Sequence, residues 1–112
     1  MDRKKLSDSG IDYFGAMKYF AGNEEMYNKF LMKFKDDNHM DMARSAFSSK
    51  DYDLVLKNVH IMKGMVSTLG MKDLVKACSD VVASIRAGQY NMLEDQMKSV
   101  EREYERVMDI YE

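Results

Sequence analysis

The fold of this chain is decided by residues 51–70, which read DYDLVLKNVHIMKGMVSTLG. Asp51 is placed to cap the start of a helix there, and Gly70 is placed to close its end. The apolar positions between them advance by four, three, four and three residues, at Val55, Val59, Met62, Val66 and Leu69. This spacing is typical of one face of an α-helix, which repeats every 3.6 residues. The stretch therefore predicts an amphipathic helix with one buried face.

Segments on both sides of this helix have the same periodicity. Residues 24–48 carry apolar side chains at helical spacing, interrupted by the polar cluster 36–39, which predicts a kinked helix or two consecutive helices. Residues 71–87 and 91–111 each have an apolar seam, and Gly88 is placed to end the first of them. Because short turns reverse the chain direction, these segments predict an all-α protein with an antiparallel up-down four-helix bundle.

The N-terminal part is predicted to lie outside the four long segments. Asp12 can cap a short helix that Gly22 would end, and this helix would lie across the bundle. Residues 1–10 are polar and are predicted to be flexible. A chain of 112 residues suits a single core. We therefore expect one helical bundle domain over residues 11–112.

Composition excludes several classes of function. A formal net charge of −2 gives no global basic field, so nucleic-acid binding is not expected. No apolar run approaches the ~18 residues that span a bilayer, so no membrane segment is expected. Cys78 is the only cysteine and cannot form an internal disulfide, which suits a reducing compartment. The sequence therefore predicts a cytoplasmic protein.

The scarcity of histidine limits the possible chemistry. The chain has two histidines, whereas di-metal bundles take a Glu-x-x-His pair from each of two helices. A weak metal site at the polar break is conceivable, but solvated residues at a kink are the simpler interpretation of Asp36, Asp37, His39 and Asp41. No glycine-rich phosphate loop is present. We therefore expect neither a bound metal nor a bound nucleotide.

His60 is the remaining reactive group. It is turned about 100° from Val59 and hence away from the buried seam. Lys63 and Gly64 follow at three and four residues and share its face, with Ser67 one turn further. A glycine in a helix costs ~1 kcal/mol relative to alanine. Gly64 either permits close helix packing or leaves a bare patch where another protein can approach His60.

The sequence around His60 resembles the signature of histidine-containing phosphotransfer (HPt) domains, His-x-Leu-Lys-Gly-Ser-Ala-x-x-Leu-Gly. Residues 60–70 read HIMKGMVSTLG, which matches this signature at His60, Lys63, Gly64, Leu69 and Gly70. The departures are Met62 for leucine, Met65 for a small residue and Val66 for alanine. The resemblance extends over most of the chain, including residues 10–13, 22–27 and 86–90.

The resemblance implies a phosphorelay intermediate without autonomous kinase or phosphatase activity. His60 would accept a phosphoryl group from an aspartate of one response-regulator receiver domain and give it to another. Lys63 would counter the added negative charge, and Gly64 would give steric access. The partner receivers, which can belong to hybrid sensor histidine kinases, would supply Mg²⁺, so the chain itself needs no cofactor and is expected to be a monomer. The alternative is a non-phosphorylated helical adaptor that binds receivers or other signalling domains.

The reversal at Gly70 indicates which residues border the docking surface. Position 60 should lie opposite about position 80, because each is ten residues from the turn. Ser79, Val82 and Ala83 are therefore partner-binding candidates on the neighbouring helix, in addition to Met65 and Ser67 on the helix of His60. Val82 could equally belong to the core, and Ser67 could hydrogen-bond either near His60 or to its own helix. Met65, which is bulky beside Gly64, would reshape the surface that a partner meets.

Overall fold

The computed structural model describes residues 2–112, which form seven α-helices and one short 3₁₀ turn with no strand. The predicted all-α class is thus confirmed for this part of the chain. The helices are α1 (Arg3–Asp8), α2 (Tyr13–Met17), α3 (Glu24–Lys35), α4 (His39–Ser48), α5 (Tyr52–Thr68), α6 (Lys72–Arg86) and α7 (Leu93–Met108). The 3₁₀ turn, Asp109–Tyr111, follows α7 directly.

The predicted caps set the helix starts. The side chain of Asp12 accepts a hydrogen bond from the Gly15 amide at 3.0 Å. The side chains of Asn23 and Asp51 do the same at the starts of α3 and α5. Such bonds satisfy backbone donors that have no partner within the helix. The segment 24–48 forms two consecutive helices, one of the two predicted arrangements.

The seam of α5 forms the centre of the core. Val55, Val59, Met62 and Val66 are all completely buried. α5 packs against α4 and α6, and α6 packs against α7. Two tyrosines connect α3 to the rest of the structure. The Tyr27 hydroxyl donates to the Leu69 carbonyl at 2.8 Å, which joins the start of α3 to the end of α5.

The second tyrosine contact joins α3 to the C-terminal end of the chain. The Tyr111 hydroxyl donates to the Leu31 carbonyl at 2.5 Å. The rings of Phe34 and Tyr104 meet edge to face, with centroids 6.0 Å apart. The resulting body has a radius of gyration of 14.2 Å and measures 40 × 26 × 20 Å. No helix within residues 2–112 is both long enough and apolar enough to cross a membrane.

The structure differs from expectation near the N-terminus. Most of the segment 1–10, predicted to be flexible, is helical; its first residue lies outside the described part. Asp2 caps α1 through the Lys4 amide at 2.9 Å, and Leu6 is completely buried. The Ile11 amide also donates to the Leu6 carbonyl at 3.0 Å. Leu6 is therefore the one buried side chain through which α1 packs on the core.

The turn between α5 and α6 requires glycine for two reasons. Gly70 has a φ of +79°, and a Cβ there would collide with the backbone carbonyl oxygen of Asp12. Gly88 has a φ of +67°, but a Cβ there would meet nothing within 4 Å. Both positions lie in the left-handed region that favours glycine. Of these two glycines, Gly70 alone also lacks room for a side chain.

We therefore expect Gly70→Ala to lower the free energy of unfolding by about 3 kcal/mol, from conformational strain plus the collision. Gly88→Ala, the matched control, should cost about 1 kcal/mol, from strain alone. Urea denaturation followed by circular dichroism measures both values. Equal losses of unfolding free energy in the two variants would show that the collision with Asp12 adds nothing to the cost at Gly70.

Candidate functional site

His60 lies on the outer face of α5. Its side chain is exposed, and it makes no hydrogen bond or ion pair within residues 2–112. Gly64 and Ser67 on the same face are also exposed, and Lys63 is half-buried. The structure thus brings together His60, Lys63 and Gly64 as predicted. Burial of the opposite seam fixes the orientation of this face.

Gly64 leaves an open space beside His60. A Cβ at this position would meet nothing within 4 Å, so no neighbouring helix requires the glycine. The close-packing explanation of Gly64 is therefore wrong. The bare patch remains as the explanation, and it permits another molecule to approach the imidazole.

Lys63 provides a cation beside His60 that is not committed elsewhere. Its ammonium group forms no ion pair with any carboxylate in the described chain. It lies near enough to α6 to act on Cys78, where its charge opposes the rise in the pKa of the thiol that burial causes. Lys63 is therefore free to meet an anion on the His60 face.

An apolar groove of about 580 Å³ runs between α3 and α5 next to Gly64. Met65 and Ile61 line its α5 side, and Phe30 and Phe34 line its α3 side. Phe30 is 44% exposed and Ile61 is 38% exposed, which is high for large apolar side chains. Met65 thus lies beside the candidate site, as expected. Sequence reasoning missed Phe30 and Ile61, since neither periodicity nor spacing shows which apolar residues border a groove.

The remaining predicted docking residues differ in position. Ala83 is exposed, and Ser79 is half-buried with its hydroxyl donating to the Val75 carbonyl of its own helix at 2.8 Å. Val82 is only 3% exposed, so the structure places it in the core instead of on the surface. Val82 was therefore wrong as a docking candidate. The buried face of α6 is broad enough to include Val82 beside Val81, which the pairing of positions across the turn could not show. Ser67 is exposed and does not bond back to its helix within the described residues.

The polar break between α3 and α4 is held by side chains that already have partners. His39 Nδ1 lies 2.8 Å from Asp37 Oδ1 and 3.0 Å from Oδ2, and the His39 amide donates to the same carboxylate. Asp41 pairs with Arg44 at 2.7 Å. Within residues 2–112 there is no group of three or more histidine, cysteine or acidic side chains that could hold a metal ion.

Cys78 is buried on α6, and burial raises the pKa of its thiol to about 12. Because the thiolate is the reactive form, we expect a thiol reagent at pH 8 to leave the folded chain unlabelled. The same reagent should label the chain rapidly in urea, where the thiol regains its ordinary pKa. Equal labelling rates in the two states would contradict a buried Cys78.

Comparison of the chain with protein-family models, with curated proteins and with solved structures gives no match. A neutral imidazole is a competent nucleophile near pH 7. At this site the imidazole is exposed, the approach over Gly64 is open, and Lys63 can balance added negative charge. The arrangement suits transient covalent transfer of an anionic group.

Proposed function

We propose that this chain is a histidine phosphotransfer protein in which His60 carries a phosphoryl group between aspartates of response-regulator receiver domains. The observation that supports this most strongly is the open space at Gly64 next to an exposed His60. The matching residues Lys63, Leu69 and Gly70 of the HPt signature add to it. The protein would act as a monomer in the cytoplasm and would need no cofactor of its own.

The transfer is a displacement at phosphorus. A ring nitrogen of neutral His60 attacks the phosphorus of the aspartyl phosphate, a P–N bond forms, and the P–O bond to the aspartate breaks. The aspartate leaves as a carboxylate, and the second ring nitrogen keeps its proton. The reverse displacement by a second aspartate returns His60 to its starting state. Lys63 would balance charge on the phosphoryl group, while the receiver supplies Mg²⁺ and its acidic pocket.

The scaffold for this site is proposed to be an antiparallel up-down bundle, with α3 and α4 together as the first of four helices. Several contacts at helix ends support it. The ring of Tyr52 at the start of α5 stacks on Tyr90 after α6, with centroids 4.6 Å apart. Asp73 at the start of α6 pairs with Arg106 near the end of α7 at 3.0 Å. The hydrogen bond of Tyr27 connects the start of α3 to the end of α5 in the same way.

The apolar groove is proposed to dock the receiver. It lies beside Gly64, so a partner seated there is positioned over His60. Exposed apolar surface of this kind marks protein interaction sites in soluble proteins. Met65, where the HPt signature has a small residue, narrows the groove and would thereby restrict which receivers fit.

The same groove favours a second candidate function, a helical adaptor that binds signalling domains without transfer. The two functions are separated by incubating the chain with a panel of phosphorylated receivers. We expect phosphate to move to the chain in a linkage that is labile in acid and stable in alkali, as a phosphoramidate is. Receivers that bind the chain without losing phosphate would contradict the relay and favour the adaptor.

A further inference from the structure

A second groove lies where the N-terminal helix α2 meets the turn between α5 and α6. It has a volume of about 550 Å³ and lies between α2, the end of α5 and the start of α6. Lys18 and Tyr19, which follow α2, form one wall, and Lys72 and Val75 of α6 form another. Ser67 opens into it from the His60 face of α5. We refer to it as the N-terminal groove.

The N-terminal groove is preformed: its shape is set by contacts within the chain before any ligand binds. Its floor includes Gly15 and Gly70, and a side chain at either position would collide with Asp12. The Asp12 amide donates to the Gly70 carbonyl at 2.8 Å, and its carboxylate accepts from the Gly15 amide. The first bond holds α2 against the turn after α5, and the second caps α2. A ligand would therefore meet a concave surface that needs little ordering on binding.

The charge on this groove is positive. Lys18 forms no ion pair within the described residues. Lys72 pairs with Asp12 at 3.0 Å, and Asp12 supplies the only carboxylate among the lining residues. The unpaired Lys18 thus leaves an excess positive charge on the wall. Ser67 adds a hydroxyl that does not bond to its own helix.

Apolar surface lies between these charges. The ring of Tyr19 is 69% exposed, an unusual degree for a large aromatic side chain, and Val75 also lines the groove. A ligand that fits must therefore combine negative charge with a modest apolar side chain. An acidic peptide segment meets both requirements, because its carboxylates complement the lysines while an aliphatic side chain covers Tyr19.

We propose that the N-terminal groove binds an acidic peptide segment of a partner protein. A carboxylate of the segment pairs with Lys18, the lysine that Asp12 leaves unpaired, and one aliphatic side chain packs on Tyr19 and Val75. Since Ser67 lies one helical turn beyond Lys63 and Gly64, this groove continues the His60 face. A partner seated over His60 can place an acidic segment there. Binding does not require phosphate transfer, so the inference goes beyond the function proposed above.

Fluorescence anisotropy with a labelled peptide of alternating glutamate and aspartate around one leucine tests this proposal. We expect saturable binding, which the same peptide with lysine for its acidic residues does not show. Lys18→Glu should weaken binding about tenfold. Lys29→Glu, the matched control on the exposed side of α3, changes the net charge equally and should shift binding less than about twofold. Ser67→Trp should block the groove without changing charge.

Circular dichroism and urea denaturation confirm that each variant folds. If Lys18→Glu fails to fold, Ser67→Trp decides the question alone. Equal weakening by Lys18→Glu and Lys29→Glu would overturn the proposal in favour of unspecific attraction. So would the absence of acidic-peptide binding, or binding of phosphatidylglycerol vesicles that depends on Lys18 when the peptide does not bind. His60→Gln should leave peptide binding unchanged, so the result is independent of the phosphotransfer proposal.

Discussion

Replacement of His60 by glutamine should abolish transfer of phosphate from a receiver to this chain. Glutamine keeps a polar side chain of similar reach but has no nitrogen lone pair that can attack phosphorus. His60 is exposed and its side chain has no hydrogen-bond or ion-pair partner within residues 2–112, so the substitution removes the nucleophile without removing such a contact. Transfer of radiolabelled phosphate from a receiver, separated by gel electrophoresis, measures the effect.

The second histidine provides the matched control. His39 Nδ1 is bound by Asp37 at 2.8 Å, and its ring is half-buried at the start of α4. We expect His39→Gln to accept phosphate at the rate of the unchanged chain. If His39→Gln failed to take up phosphate while His60→Gln still did, the phosphoacceptor would be His39 on α4. That result would contradict the assignment to His60.

Substitution of Gly64 should separate stability from activity. Because a Cβ at position 64 meets nothing within 4 Å, Gly64→Ala should raise the free energy of unfolding by about 1 kcal/mol through its helix propensity. Gly64→Gln should also fold well, since glutamine favours helices. Its side chain, however, fills the space beside His60. We expect phosphate transfer to slow by about 100-fold, as displacement of a reacting group by ~1 Å can do.

Single-turnover transfer and urea denaturation of the same samples give both quantities. Gly64→Ala is the control for side-chain size. Like Gly64→Gln it lacks the backbone freedom of glycine, but it adds only one methyl group. Its transfer rate should lie between those of the unchanged chain and Gly64→Gln. A Gly64→Gln variant that transfers at the unchanged rate would show that open space at this position has no role in access.

Local rules were sufficient to predict most of the helices. The seam through Val55, Val59, Met62 and Val66 is buried as its spacing predicts, because one helix face faces the core along its whole length. Asp51 and Asn23 cap their helices because a cap depends only on residues three positions away. The face of His60 followed from the same periodicity.

Features that depend on contacts between helices could not be predicted. α1 packs on the core through Leu6, its one buried side chain, and periodicity cannot detect a single buried residue in a polar run. Val82 faces the core because α6 packs between α5 and α7, which loop register does not specify. The apolar groove needs Phe30 and Ile61 from helices far apart in sequence. The two explanations of Gly64 differ only in what surrounds it in space, which periodicity does not show.

Identification of the residue that carries the phosphate is the most direct test of the proposed relay. The unchanged chain should be incubated with a phosphorylated receiver, digested, and mapped by mass spectrometry under neutral conditions that preserve phosphoramidates. We expect phosphate on the His60 side chain, with the label lost in acid and kept in alkali. Phosphate found on His39, on a hydroxyl or on a carboxylate would contradict His60 as the phosphoacceptor.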